Sequence, residues 1–381
     1  MPPIRHFAVK ASSALTFMSV LFFFRIYSPF EVRNKNATES TTVPAVFVEA
    51  AGNGTFGFPK AYLISIPSRF DSLDAATIQG FLSGVQFEVF PAVETNMIKD
   101  KGMPPTHDPE RLREAEKGCW RAHANVWSRM LREELPSVLI LEADVAWDVN
   151  VRTIMTNFHK HFTLLLQHLN STQLPRIRRI QKTVDEPTSD VFPDPDDPWH
   201  SKHWDILSLG HCWETPLHHE FMLKYKDEHV PAGKDYYGEI LGSERVVRKS
   251  GGIACTTAYA ISQTGAAKLL LRTAVDLDLP VDLIIKEMIL SGDLVAYSAH
   301  PPIMSQWKYV PGIGMNLRGS NSDVQESRQE VADESPDAWE TVRQTRSVWM
   351  PAEDFPDVAF KEMTLEGAWE RILGGASLLI R

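Results

Sequence analysis

The chain has 381 residues, with 39 basic against 49 acidic side chains and a formal net charge of −10. Hydrophobic residues make up 43% and charged residues 23%, a globular composition that excludes a collagenous, mainly disordered or multi-span membrane chain. The acidic balance, without a long Lys/Arg block, also argues against a general nucleic-acid binder, whose grip on phosphate needs clustered cations.

The N-terminal segment carries Arg5 and Lys10, then an uncharged run from Ala11 to Phe24 closed by Arg25. That run is shorter than the roughly 20 residues of a membrane-spanning helix. Phe7 to Tyr27 reaches the length if Lys10 and Arg25 snorkel their charges to the two interfaces. Residues 1–27 therefore read as a short cytosolic tip and a signal-anchor helix. A cleaved signal peptide is the competing reading, but Arg25-Ile26-Tyr27-Ser28-Pro29 offers a poor cut site. Residues 28–59 read as a stem. Sequons at Asn36, Asn53 and Asn170 are acceptors for N-glycans on a lumenal chain. The expectation is a single-pass type II protein of the Golgi or endoplasmic reticulum membrane. Cys119, Cys212 and Cys255 permit at most one disulfide, and no CxxC or zinc-type Cys/His spacing stands out.

The folded domain is expected over residues 60–323. Ala61 to Ile66 is a short apolar, β-rich run ending at Pro67, which suits a buried strand. A helix is predicted over 73–82 and a strand over 87–90, followed by a loop over 94–107. A long helix follows over 110–135, with Trp120, His123, Trp127, Met130 and Leu131 on one face. Ser137 to Leu141 is the clearest strand, and it ends in Glu142-Ala143-Asp144. A helix over 158–169 precedes a Pro/Asp-rich stretch, 171–203, which reads as an exposed excursion. Further strands are expected over 204–209, 258–261 and 293–297, with a helix over 265–272. Alternating strands and helices describe an open α/β sheet, mixed but mostly parallel, flanked by helices. Residues 324–381 read as a charged tail or peripheral cap.

The chemistry concentrates at Glu142 and Asp144. A buried strand that releases acids at its carboxyl end delivers them to the crevice where open α/β sheets bind ligands. Oxygen donors two residues apart suit Mn²⁺ or Mg²⁺, which can neutralise a diphosphate leaving group. An acidic turn that merely caps the next element is the plain alternative. His200, His203, His211, His218 and His219 lack the pairing of a zinc motif, and Asp194 to Asp197 lacks the glycine of an EF-hand loop.

Six blocks in order resemble glycosyltransferase family 25, which includes lipooligosaccharide and collagen galactosyltransferases, and most closely its fungal branch. Tyr62-Leu-Ile-Ser-Ile-Pro-Ser-Arg69-Phe-Asp71 resembles the first strand and its NLP-x-R-x-D-R turn. Gly118-Cys-Trp-Arg-Ala-His123 resembles the following helix motif, and Leu139-Ile-Leu-Glu142-Ala-Asp144-Val resembles LILEDDV. Trp204 to Cys212 resembles WDVLWLGHC, and Cys255 to Ala266 resembles C-T-x-A-Y-A-V-S-x-x-G-A. Pro280-Val-Asp282, with Val295 to Pro301, resembles the C-terminal elements.

The resemblance implies a GT-A fold, a UDP-sugar donor carrying a hexose (galactose or glucose), and inverting transfer to a glycan or glycoprotein acceptor. It gives Glu142 and Asp144 the metal–diphosphate role, Arg69 the donor phosphates, and His211 either a place in the metal shell or a packed loop. Asp282 is the candidate base or acceptor-holding carboxylate, with a helix N-cap as its plain alternative. Related sequences also carry cysteine at positions 212 and 255, which implies a Cys212–Cys255 disulfide. Two departures stand out: the family's middle acid is Ala143 here, and its second arginine is Ser72. They keep open a second reading, a catalytically inactive lumenal carbohydrate-binding or scaffold protein on the same fold.

Overall fold

Strand β1 (Ala61–Ser65) is buried along its whole length, as its unbroken apolar run requires. It sits in an eight-stranded sheet with β2 (Glu88–Pro91), β3 (Ser137–Glu142), β5 (Ile206–Gly210), β7 (Met222–Lys226), β10 (Glu244–Lys249), β12 (Ala258–Ser262) and β13 (Ala296–His300). The strand order is β2-β1-β3-β12-β5-β13-β10-β7. This computed structural model describes residues 50–174, 191, 194–310, 312–313, 338–345, 347–351 and 364–374, all within the unit Val43–Arg381. The anchor expected at residues 7–27 and the sequon at Asn36 lie outside the described residues. Among those described, no helix is long and apolar enough to cross a membrane.

The sheet is mixed and flanked by helices, as expected, but it is not mostly parallel. β1 runs parallel to β2 and β3, and β13 parallel to β5. β12 is antiparallel to both β3 and β5, and β10 is antiparallel to β13 and β7. The cause is connectivity. No helix lies between β5 and β12, only the antiparallel strands β7 and β10 and the short pairs formed by β6 (Trp213–Glu214) with β11 (Ile253–Ala254) and β8 (Asp235–Tyr236) with β9 (Glu239–Ile240). A parallel neighbour needs a long crossover, usually helical; β12 has none from β5, whereas β13, which follows α4 (Gln263–Val275) and α5 (Val281–Leu290), pairs parallel with β5.

Helices cover both faces, and β3 shows why. Its alternation sends Leu139 and Leu141 into one core with Ile154, Phe158 and Phe162 of α3 (Val151–His168). Val138 and Ile140 point the other way, into a core with Trp120 and Trp127 of α2 (Glu114–Arg132). Leu269 of α4 (Gln263–Val275) and Ile285 of α5 (Val281–Leu290) complete that layer. The predicted face of α2 is the buried one: Trp120, His123, Trp127 and Met130 are buried and Leu131 packs at the edge. The helix starts at Glu114 rather than 110, where Glu116 accepts a hydrogen bond from the Arg113 N–H and closes the first turn.

Packing reaches upstream of residue 60. Phe58 stacks on Trp199, and the Trp199 indole N–H donates to the Phe56 carbonyl at 2.7 Å. Trp199 is fully buried, so the end of the excursion expected to be exposed is core; its Pro/Asp composition hid that anchor. At the other end, β14 (Met304–Tyr309) pairs antiparallel with β4 (Val145–Trp147) and with β15 (Trp349–Pro351). Helix α1 (Phe70–Ser83) follows β1 and carries buried Ala75. Beyond α6 (Ala338–Thr345), helix α7 (Thr364–Leu373) packs Leu365 against Ala75, Ala146 and Trp307.

Candidate active site

The site begins where β3 ends. After four fully buried residues, Val138 to Leu141, the chain turns at Ala143-Asp144 into β4, and the turn leaves Glu142 and Asp144 partly exposed at the sheet's carboxyl edge. Glu142 keeps a quarter of its side chain in solvent. The Thr256 hydroxyl donates to its Oε1 at 2.6 Å, and His123 Nε2 lies 3.2 Å from the same oxygen.

The tautomer of His123 follows from its neighbours. The Trp127 indole N–H can only donate, and it donates to the Tyr259 hydroxyl oxygen at 3.0 Å. The Tyr259 proton is then given to His123 Nδ1 at 2.9 Å, which leaves the ring proton on Nε2 to donate to Glu142. Burial opposes ionisation of Glu142, but the hydrogen bonds from His123 and Thr256 outweigh it. Its pKa lies below the ordinary carboxylate value. Oε2 makes no hydrogen bond among the described residues.

Asp144 is held from β14. Gln306 Nε2 donates to its Oδ2 at 2.6 Å, and the Trp307 N–H donates to its carbonyl at 2.9 Å. Asp282 lies in the first turn of α5, and Pro280, not Asp282, occupies the N-cap position. Its Oδ1 accepts from the Leu283 N–H at 2.9 Å and its Oδ2 from the Cys255 N–H at 3.0 Å. Cys255 is disulfide-bonded to Cys212, as the resemblance implied, with a Cα–Cα distance of 5.4 Å. It adopts φ 66°, a left-handed backbone that non-glycine residues rarely take.

All three acids act on one thiol. Burial first, then the charges of Glu142, Asp282 and Asp144, push the Cys119 thiol well above its usual pKa. Glu142 and Asp144 lie at the end of β3 and Asp282 in the first turn of α5. Glu142 and Asp144, two residues apart and offering oxygen donors only, are the pair whose chemistry suits Mn²⁺ or Mg²⁺.

Arg69 is tied to β14 through Asp71. Its guanidinium forks onto Asp71 at 2.9 and 3.1 Å, and the Tyr309 hydroxyl donates to the same carboxylate at 3.3 Å. Burial opposes ionisation of Asp71, yet the Arg69 fork holds its pKa below the usual range. Ser72, where the resemblance expects a second arginine, accepts from Arg69 at 3.0 Å.

His211 is held by a different set of partners. It is buried, its Nδ1 lies 2.9 Å from Ser208 Oγ, and its Nε2 faces Glu214 at 3.7 Å. Glu214 accepts from Ser298 at 2.7 Å and lies 3.4 Å from Arg248. Burial foremost, then the charges of His300 and Arg248, bring the His211 pKa down to about 3, so the ring is neutral. Thr256, Tyr259, Gln306 and Tyr309 escaped the sequence reading. The first two lie inside the Cys255–Ala266 block, but nothing in the sequence marks Gln306 or Tyr309.

Residues 58–285 match the sequence model of glycosyltransferase family 25 (LPS biosynthesis protein). The chain belongs to glycosyltransferase family 25. A bovine (Bos taurus) relative named "Probable inactive glycosyltransferase 25 family member 3" is 22% identical over 255 residues, 64% of this chain and 34% of that protein. A glycosyltransferase 25 family member of Anopheles gambiae is 31% identical over 98 residues, 23% of this chain and 17% of its own length. One from Drosophila melanogaster is 36% identical over 76 residues, 17% and 12% respectively. The chain thus spans about a third or less of the curated relatives it matches. The crystal structure of A197 from STIV aligns at a TM-score of 0.28 and 9% identity over 65% of this chain and 83% of that one, too low to bear on the fold. The family 25 region contains Arg69, Glu142, Asp144, His211 and Asp282, and ends before Gln306 and Tyr309.

Proposed function

We propose that this family 25 chain is a metal-assisted, inverting hexosyltransferase of GT-A type. It would move galactose or glucose from a UDP-sugar to a hydroxyl of a glycan or glycoprotein acceptor. The observation that carries this is the pair Glu142 and Asp144 released at the end of buried strand β3, with Asp282 and Glu142 held by the consecutive residues Cys255 and Thr256. Mn²⁺ or Mg²⁺ held by Glu142 and Asp144 supplies Lewis-acid stabilisation of the departing diphosphate.

The chain's own groups do the rest. Asp282 takes the proton of the acceptor hydroxyl, on the face of the sugar opposite the leaving group. Its two backbone hydrogen bonds fix the carboxylate's orientation, at some cost in basicity. Gln306 orients Asp144, and Thr256 with His123 orients Glu142. Arg69, already forked on Asp71, adds positive charge near the end of β1, where the donor's phosphates would lie. A signal-anchor at residues 7–27, a lumenal site in the Golgi or endoplasmic reticulum, and N-glycans at Asn36, Asn53 and Asn170 belong to the same proposal.

One observation favours a second reading. Both oxygens of Asp282 are engaged by backbone N–H groups, the pattern of a structural acid. With Ala143 and Ser72 in place of family side chains, a carbohydrate-binding protein without chemistry is the competing assignment. The experiment that separates them is UDP binding and UDP-sugar hydrolysis with Mn²⁺ or EDTA, over a donor panel, in wild-type and Asp144→Asn protein. Metal-dependent turnover of one donor, lost in the variant, supports the enzyme. If UDP does not bind with Mn²⁺ present, the donor site is dead and the binding-protein assignment stands.

A further inference from the structure

A different metal chemistry sits on the helix side of Glu142. Cys119 and His123 are four residues apart on α2, so one helical turn stacks their side chains on the same face. A donor atom from each of Cys119, His123 and Glu142 lies within 4.8 Å of the other two. His123 is 1% exposed, and its Nδ1 is taken by the Tyr259 hydroxyl, so Nε2 is the nitrogen turned toward Glu142 at 3.2 Å. An outer hydrogen bond of this kind holds a ligating imidazole in orientation.

The donor types decide which ion fits. Glu142 and Asp144 offer oxygens alone, which hard cations accept. A thiolate, an imidazole and a carboxylate instead select zinc-class ions, and three protein donors leave one position open for water on the partly exposed Glu142 side. The charges of Asp144 and Asp282 also act on Cys119, and these negative surroundings favour a dication there. Cys212 and Cys255 are locked in their disulfide, so Cys119 is the free thiol of the chain.

We propose that Cys119, His123 and Glu142 form a Zn²⁺ site, chemically distinct from the oxygen pair Glu142–Asp144 and sharing Glu142 with it. Binding releases the thiol proton of Cys119 to solvent and moves the His123 ring proton from Nε2 to Nδ1; Nδ1–H then donates to the Tyr259 oxygen, and the Tyr259 hydroxyl proton rotates away from the ring. Glu142 cannot serve both ions fully, so Zn²⁺ here withdraws it from the hard cation. That last consequence rests on the proposed glycosyltransferase reading; the binding site itself does not.

Co²⁺ serves as the spectroscopic probe, titrated into the full chain without UDP or acceptor. The expected result is one thiolate-bound Co²⁺ per chain, seen as a near-ultraviolet thiolate-to-cobalt absorption. One equivalent of Zn²⁺ bleaches that absorption, and excess Mg²⁺ leaves it intact. Cys119→Ser abolishes the absorption and weakens Zn²⁺ binding by more than about tenfold. His123→Gln, which keeps hydrogen-bonding groups toward Tyr259 and Glu142, keeps the thiol but loses Zn²⁺ affinity by a similar factor. Near-ultraviolet circular dichroism shows whether each variant is folded. The exposed His107–Asp276–Asp278 group has no thiol and cannot give the thiolate signal. The site is refuted if wild-type protein gives no thiolate–cobalt absorption, or if the absorption survives in Cys119→Ser. Zn²⁺ affinity unchanged in Glu142→Gln removes Glu142 from it. None of these readouts uses sugar transfer, so an inactive enzyme and an absent zinc site are told apart.

Discussion

The backbone N–H of Cys255 donates to Asp282 at 3.0 Å while its side chain is bonded to Cys212. The next residue, Thr256, holds Glu142 through its hydroxyl, and the Thr257 carbonyl accepts the Glu142 N–H at 3.0 Å. Three consecutive residues therefore orient two of the three acids, and the disulfide fixes that strap to the loop after β5. The left-handed backbone of Cys255 is strain of the kind that collects at functional sites.

Breaking the tie should cost stability and position together. With a sequence separation of 43 between the cysteines, loop closure stabilises the fold by about 4 kcal/mol in the chain-entropy account. Cys212→Ser should lower unfolding stability by roughly 2–5 kcal/mol in a denaturant titration. Donor hydrolysis should also fall at temperatures where the variant is fully folded. A variant that loses stability but keeps full turnover would show that the strap positions nothing.

Gln306 should behave as a positioning residue for Asp144. Its amide holds Oδ2 at 2.6 Å, so Gln306→Leu leaves that carboxylate to swing. A loss of about 10–100-fold in Mn²⁺ affinity is expected, with little change in thermal stability. Calorimetric Mn²⁺ titration checks it; unchanged affinity would assign Gln306 to packing alone.

The position of Glu142 and Asp144 was legible because a short apolar run ending in acids reads as a buried strand that releases them at its end. The α2 face was legible because Trp120, Trp127 and Met130 recur at helical spacing. Strand β10 was not. No element is expected over Glu244–Lys249, whose charged residues leave no apolar strand pattern, yet Arg245 and Arg248 are buried. Burial there depends on partners far away in sequence, which periodicity cannot see. Gln306 was hidden for the same reason: its role exists only once β14 pairs with β4.

Arg245 gives that lesson a measurable form. It and Asp227 are each 2% exposed and 2.7 Å apart, and Arg245 also donates to the carbonyls of Pro301 and Pro302. Arg245→Met strands a buried carboxylate and should cost about 3–5 kcal/mol. The double variant Arg245→Met/Asp227→Leu should recover most of that loss in urea unfolding. Additive losses would mean the two groups do not act as a pair.

His211 predicts how stability should vary with pH. Its folded pKa is about 3, against an ordinary 6.5, because burial foremost, then His300 and Arg248, disfavour the cation. Between those values the unfolded chain holds the proton and the folded chain does not. Stability is therefore complete above pH 6.5 and falls as the pH drops toward 3, by up to about 1.4 kcal/mol per pH unit from this group. Glu214 works in the opposite sense. Burial raises its pKa, so the folded state gains a proton above 4.5, before the unfolded state does, and offsets part of the loss near that end. Buried His159 and half-buried His300, both pushed down foremost by burial, add slopes of the same sign as His211. The difference between wild type and His211→Gln isolates this one residue. In urea unfolding from pH 7 to about 5, the variant should show a shallower decline. Parallel curves would mean that the His211 ring takes up its proton over the same pH range in the folded and unfolded chain, and that the buried His211–Glu214–Arg248 cluster holds a protonated imidazole below that range.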